Sequence, residues 1–233
     1  MVVGYAADHE GPTAAGDVFA RNEHLLASLD ELAFPGVALQ VEDHDATERW
    51  QRWSRPLARR VAGSLAVWAE DGDDVSAITA TVSQWWPDHT VFVVTETVPR
   101  WHTDRATSAR EPRPGVIVTS LLYRRPDTTP VEFAAHWREV HQPMSLRIHP
   151  QHTYVRNLVT RAVAPEPPGF DAICEEGFAS VDDVLEPSRF FGADPTAPWQ
   201  DNARTIGDDV PLFLDTDHTV ATIMREYRLR DFR

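Results

Sequence analysis

The tetrapeptide Asp-His-Thr-Val occurs twice, at residues 88–91 and 217–220, and the hydrophobic pattern around it repeats as well. In the first half, residues 17–31 place Val18, Leu25, Leu26 and Leu29 at helical spacing, with Leu32 continuing the stripe. Residues 37–41 and 64–69 read as strands, 75–86 as a helix and 90–98 as a strand, and a short strand at 2–5 completes βαββαβ. In the second half, strands are predicted at 116–123, 153–163, 170–175 and 218–229. Helices are predicted at 131–143 and 198–206, with a helical turn at 181–185, so the order βαββαβ returns. The repeated tetrapeptide opens the last strand both times, which supports duplication. Residues 100–115, proline-bearing, polar and without periodicity, form the linker.

A βαββαβ unit is a ferredoxin-like split βαβ, a four-stranded antiparallel sheet with helices on one face. The other face is bare, and two units in one chain can bury theirs against each other. The predicted fold class is therefore α+β, two tandem ferredoxin-like units forming an α+β barrel, with a degenerate unit at 1–112 and a second at 113–233. One element falls outside this order. Residues 46–62 put Trp50, Trp53, Leu57 and Val61 on one stripe and arginines on much of the rest, an extra amphipathic helix with Pro56 as its kink or start.

The most informative stretch is 131–144, V-E-F-A-A-H-W-R-E-V-H-Q-P-M. At about 100° per residue, Phe133, Trp137, Val140, His141 and Met144 share a stripe. Thr128 and Thr129 supply capping oxygens, Pro130 suits the first helical position, and Pro143 is expected to stop the helix. A titratable histidine thus shares a buried face with two aromatics. It either packs, satisfied by a hydrogen bond, or works as a proton carrier. His136, five residues before His141, lies about 140° away on a regular helix, so the two should not share a partner.

Composition removes many alternatives. All 22 basic residues are arginine, which excludes Schiff-base, Walker-type and Ser-Lys chemistry. Neither a G-x-G-x-x-G nor a G-x-S-x-G motif is present. The net charge of −14 argues against nucleic acid as a partner. No apolar run approaches the ~20 residues that span a bilayer, and the first residues do not read as a secretory signal. The single cysteine, Cys174, fits a reducing cytoplasm and is expected to be a buried small side chain. The histidines of the H-P-Q-H run, His149 and His152, lack an evident third ligand, and no metal site is assigned.

The run L-L-Y-R-R-P (121–126) followed by T-P-V-E-F-A-A-H-W-R-E-V-H-Q-P (129–143) resembles the EthD family of the dimeric α+β barrel superfamily. Its signature is a tyrosine-ended strand and a helix carrying F-x-x-x-W-x-x-x-H-x-P, matched by Phe133, Trp137, His141 and Pro143. The stretch 170–180 is similar to its second block, with Asp171 and Phe178 at the marked positions. The first half lacks the signature. The resemblance implies cofactor-free chemistry on aromatic or polyketide-like molecules, namely dehydration, decarboxylation, cyclisation or oxygenation, or else binding of such a ligand without turnover.

On this reading His141, Tyr123 and Asp171 are the catalytic candidates. His141 acts as acid/base, Tyr123 as proton donor or oxyanion partner from the preceding strand, and Asp171 as the group that orients a histidine. Phe133, Trp137, His136, Met144 and Phe178 are the candidates for binding a hydrophobic substrate. No cofactor is assigned, and a homodimer is compatible with the pattern.

Overall fold

The computed structural model describes residues 34–52, 61–69, 74–85, 89–101, 111–164 and 169–230, together with 23, 24, 27–29 and 31. The strand expected at 2–5 and the central part of the helix expected at 46–62 lie outside these residues. Seven strands are described: β1 Gly36–Glu42, β2 Gly63–Trp68, β3 Val91–Arg100, β4 Val116–Leu122, β5 Thr153–Ala164, β6 Ala172–Phe178 and β7 Val220–Arg230. The helices are α1 His44–Gln51, α2 Asp74–Trp85, α3 Pro130–His136, α4 Gln142–Ile148, α5 Asp182–Leu185, α6 Pro187–Phe190 and α7 Trp199–Phe213.

The strands form one curled antiparallel sheet, a half-barrel in the order β2-β1-β7-β4-β6-β5-β3. Within it β7-β4-β6-β5 is the ferredoxin-like arrangement of the second unit, in which the last strand pairs with the first. Strands from the two halves of the sequence meet edge to edge: β1 pairs with β7 and β3 with β5, so backbone groups that β7-β4-β6-β5 alone would leave open are satisfied.

Alternation along each strand then sorts the side chains onto two faces. On β4, Val116, Val118 and Leu122 face the helices, where they pack with Phe178, Val184 and Phe190 or with Phe133, Trp137 and Phe213. Ile117 and Leu121 face the concave interior, with Phe92, Phe170, Ile173 and Met224. Strand β4 is preceded by Gly115, whose φ of +88° and whose approach to the Phe178 carbonyl, 2.0 Å from where a Cβ would sit, leave room only for glycine.

Helix α3 starts as the sequence specifies. Thr129 accepts from the Glu132 amide, Glu132 accepts from the Thr129 amide, and Pro130 follows. It does not stop at Pro143. A π-helical turn, Trp137–His141, links α3 to α4, and Pro143 falls in the first turn of α4, where a missing N–H costs least. The last helix also runs beyond its expected end at 206. Gly207 and Pro211 suggest a break, yet α7 continues to Phe213 because Asn202, Ile206, Asp209 and Phe213 bury one continuous stripe.

Candidate active site

The π turn decides the site. In an i→i+5 turn, residues five apart come onto one face, and the Gln142 amide indeed donates to the Trp137 carbonyl. His136 and His141 therefore do share a partner, contrary to the regular-helix expectation. It is Asp209 of α7. His136 Nε2 lies 2.8 Å from Asp209 Oδ1, and His141 Nδ1 lies 2.8 Å from Oδ2. Phe213, one turn along α7, stacks on the His136 ring at 4.9 Å and tilts against His141 at 5.0 Å, which fixes both imidazoles.

The Asp209 side chain is 6% exposed, against 14% for His141 and 23% for His136. Burial works to raise its pKa, but the bonds from His141 and then His136 outweigh that and hold it below the usual carboxylate value. An ionised carboxylate only accepts, so His141 donates through Nδ1 and His136 through Nε2. Each neutral ring is left with a basic nitrogen directed elsewhere, Nε2 on His141 and Nδ1 on His136. This is the arrangement of a positioned general base with its orienting acid.

Beneath the helix lies a buried polar layer from β5 and β6. Trp137 Nε1 donates to the Tyr154 hydroxyl at 2.9 Å, and Tyr154 in turn bonds Cys174. Burial pushes the pKa of both Tyr154 and Cys174 well up, so neither is an anion and Cys174 is no nucleophile. Glu176 is raised by burial, an effect opposed by the neighbouring His141 and by the Ser145 hydroxyl bond at 3.1 Å.

Of the residues singled out by sequence, His141 and His136 converge on Asp209, and Phe133 and Trp137 form the packed floor, each 1% exposed. Trp137 is thereby a core side chain rather than an open stacking platform. Met144 is half-buried on α4. The others lie elsewhere. Because Leu122 faces the helices, Tyr123 points to the concave interior, where its ring meets Phe170 at 6.1 Å and His218 at 5.9 Å. Asp171 binds Arg124, accepting from its Nε at 2.9 Å and its amide at 3.0 Å, and so pins the loop before α3 instead of orienting His141. Phe178 is fully buried in the cluster with Phe190 and Val184. His149 bonds the Phe190 carbonyl at 2.8 Å, and burial holds its pKa down at about 4. Among the described residues no three His, Cys, Asp or Glu side chains are placed to hold a metal ion.

The concave interior holds a second polar cluster that periodicity did not flag. A small open cavity here is lined by residues including Gln40, Trp68, Trp101, Glu175, Glu226 and Arg228. Thr119 donates to Gln40 at 2.6 Å, and Gln40 donates to Glu175 at 3.0 Å. Arg113 and Arg228 both reach Glu226 at 2.9 Å. The two carboxyls are pushed apart. Burial, then Glu226 and Glu96, raise Glu175 to about 7, whereas Glu226, despite its burial, is held low by Arg228 and Arg113.

These features define the class of fold first. The whole chain superposes on the crystal structure of an anthrone oxidase-like protein with a TM-score of 0.57 at 11% identity, covering 100% of this chain and 93% of that one. It also matches a protein from Lactobacillus acidophilus NCFM, provisionally named a monooxygenase, with a TM-score of 0.50 at 10% identity, covering 99% and 94%. The chain has the α+β barrel fold of these neighbours. Within it, residues 125–191 match the EthD domain. No curated protein matches the chain in sequence. The matched segment contains both histidines and ends before Asp209. The signal for Asp209 was present nonetheless, as a carboxylate on the buried stripe of α7. Among the described residues no helix is long and apolar enough to cross a membrane.

Proposed function

We propose that this protein is a cofactor-independent enzyme that removes a proton from a hydrophobic aromatic or polyketide-derived small molecule, with His141 as the base. The observation that carries this reading is the pair of imidazoles on one buried aspartate. Asp209 fixes the tautomer that leaves His141 Nε2 basic and stabilises the imidazolium once the proton has moved. His136 holds the other carboxylate oxygen, so Asp209 cannot turn away. The substrate class fits a chain without lysine and a site whose supporting walls are aromatic.

The names of two structural neighbours favour an oxidative course. Deprotonation of an activated CH₂ gives a carbanion or enolate that dioxygen can oxidise. One oxygen atom of O₂ becomes the new carbonyl, the other leaves as water, and the CH₂ group supplies the four electrons. The same proton transfer without oxygen begins dehydration or cyclisation.

Anthrone, incubated with the enzyme under ¹⁸O₂ and followed by oxygen uptake and mass spectrometry, separates these courses. Quinone formation above the buffer rate, carrying one ¹⁸O atom, is expected. His141→Gln should lower the rate on the order of a hundredfold, and Asp209→Asn should lower it too, since it swaps an acceptor for a donor beneath the imidazole. Product formed equally without oxygen would favour the lyase or cyclase course. Unchanged turnover in a folded His141→Gln variant would remove His141 from the chemistry, and saturable binding with no product at all would make the chain a ligand carrier.

A further inference from the structure

Arg156 of β5 carries a charge that no described side chain neutralises. The residue is 7% exposed, and among the described residues it has neither a hydrogen bond nor an ion pair to protein. Its Nε is fully enclosed and unpartnered. Its guanidinium lies over the face of Trp137, 5.5 Å from guanidinium carbon to ring centroid. Burying a guanidinium without a carboxylate costs several kcal/mol, whereas a cation–π contact returns roughly 0.5–2 kcal/mol. Two part-buried arginines of this chain are treated differently: Arg228 and Arg113 both hold Glu226.

The surroundings repeat the asymmetry. The groups acting electrostatically on Arg156 are Tyr154 and Cys174, both kept neutral by burial, and a second cation, Arg138. Arg156 faces Cys174 across the β5–β6 ladder, and the Tyr154 hydroxyl two residues away is bonded to Trp137. The cluster thus offers a forked donor, a hydroxyl, a thiol and an indole; its carboxyl, Glu176, accepts from Ser145 and makes no ion pair with Arg156. A largely buried guanidinium with no carboxylate partner among the described residues is suited to a planar oxyanion, which it grips through parallel N–H bonds.

We propose that Arg156 is the anchor of an anion-binding site, which takes a singly charged planar oxyanion, a carboxylate or a phenolate or enolate oxygen, on a small molecule. The site stands independently of proton transfer at His141, since it concerns binding and not turnover. If both readings hold, it adds that the substrate enters with, or acquires, a negative oxygen, whose charge Arg156 offsets.

Two probes divide the chemistry, benzoate for a carboxylate and 4-nitrophenolate for a phenolate, each titrated into the full chain by calorimetry with thermal unfolding in parallel. At least one should bind saturably, raise the unfolding midpoint and weaken with added salt. Arg156→Met should weaken that affinity at least tenfold, and Arg156→Lys should keep part of it, since the charge remains while the fork is lost. The decisive companion reading is stability without ligand. A charge retained for a ligand is a burden to the empty fold, so Arg156→Met should unfold at the same or a higher temperature than wild type. Failure of both anions to bind wild type in the millimolar range would overturn the proposal. So would equal binding by Arg156→Met, or a clear loss of its stability without ligand.

Discussion

Glu175 gives the sharpest test of the interior cluster. Its carboxyl accepts from Gln40 of β1 and faces Glu226 and Arg228 of β7 and Glu96 of β3, with Arg113 and His152 on the same cavity. Burial and the two acidic neighbours raise its pKa from 4.5 to about 7. The native state therefore holds this proton more tightly than the unfolded chain does. Stability from this source is full below pH 4.5 and is lost as the pH rises through about 7. At ~1.4 kcal/mol per pH unit across that window, the loss totals about 3 kcal/mol.

Glu175→Gln keeps the shape and an acceptor for Gln40 but cannot ionise. The two proteins should unfold at similar urea concentrations near pH 4.5, and the variant should gain up to about 3 kcal/mol by pH 8. His149 opposes this slope. Its pKa is lowered from 6.5 to about 4, so the unfolded chain takes up the proton first and stability is lost as the pH falls through that range. Between about pH 4.5 and 6.5 the two effects offset each other in wild type, and Glu175→Gln should uncover the His149 slope. Parallel curves for wild type and variant from pH 5 to 8, or a variant less stable at pH 8, would refute the account.

The remaining expectations concern the helices around the histidines. Thr129→Ala removes the cap of α3 and should cost about 1 kcal/mol in urea unfolding, with little effect on an assay of His141. Phe213→Ala opens a hole against Phe133, His136 and His141 and should cost about 3–5 kcal/mol, while also lowering turnover because both imidazoles lose their wedge. Gly115→Ala forces a Cβ onto the Phe178 carbonyl, and a drop in thermal midpoint with retained far-ultraviolet circular dichroism would mark local strain at the start of β4.

Much of the architecture was legible in the sequence because it follows from local rules. Among the described residues hydrophobic period located the strands and longer helices, both copies of the tetrapeptide end at the first residue of a strand, and Thr129, Pro130 and Glu132 are a start signal that α3 obeys. Breakers were less dependable. Pro143 was expected to stop its helix and the last helix was expected to end at 206, and in each case packing of a continuous buried stripe carried the helix onward. Strand faces were set by alternation too, but which face meets the helices depends on which residues the helices cover, and so Tyr123 turned inward while Leu122 packed beneath Trp137.

The site divides along the same line. The sequence by itself determined that Phe133, Trp137 and His141 share a helix face, since that needs only the pitch of a helix. The tertiary structure alone decided that the backbone widens into a π turn, bringing His136 beside His141, and that an aspartate 68 residues beyond His141 receives both. A shift of one residue in hydrogen-bond register has a small local cost and no sequence code of its own. The sum of buried contacts from α7 and the sheet settles it, and those contacts exist only once the chain has folded.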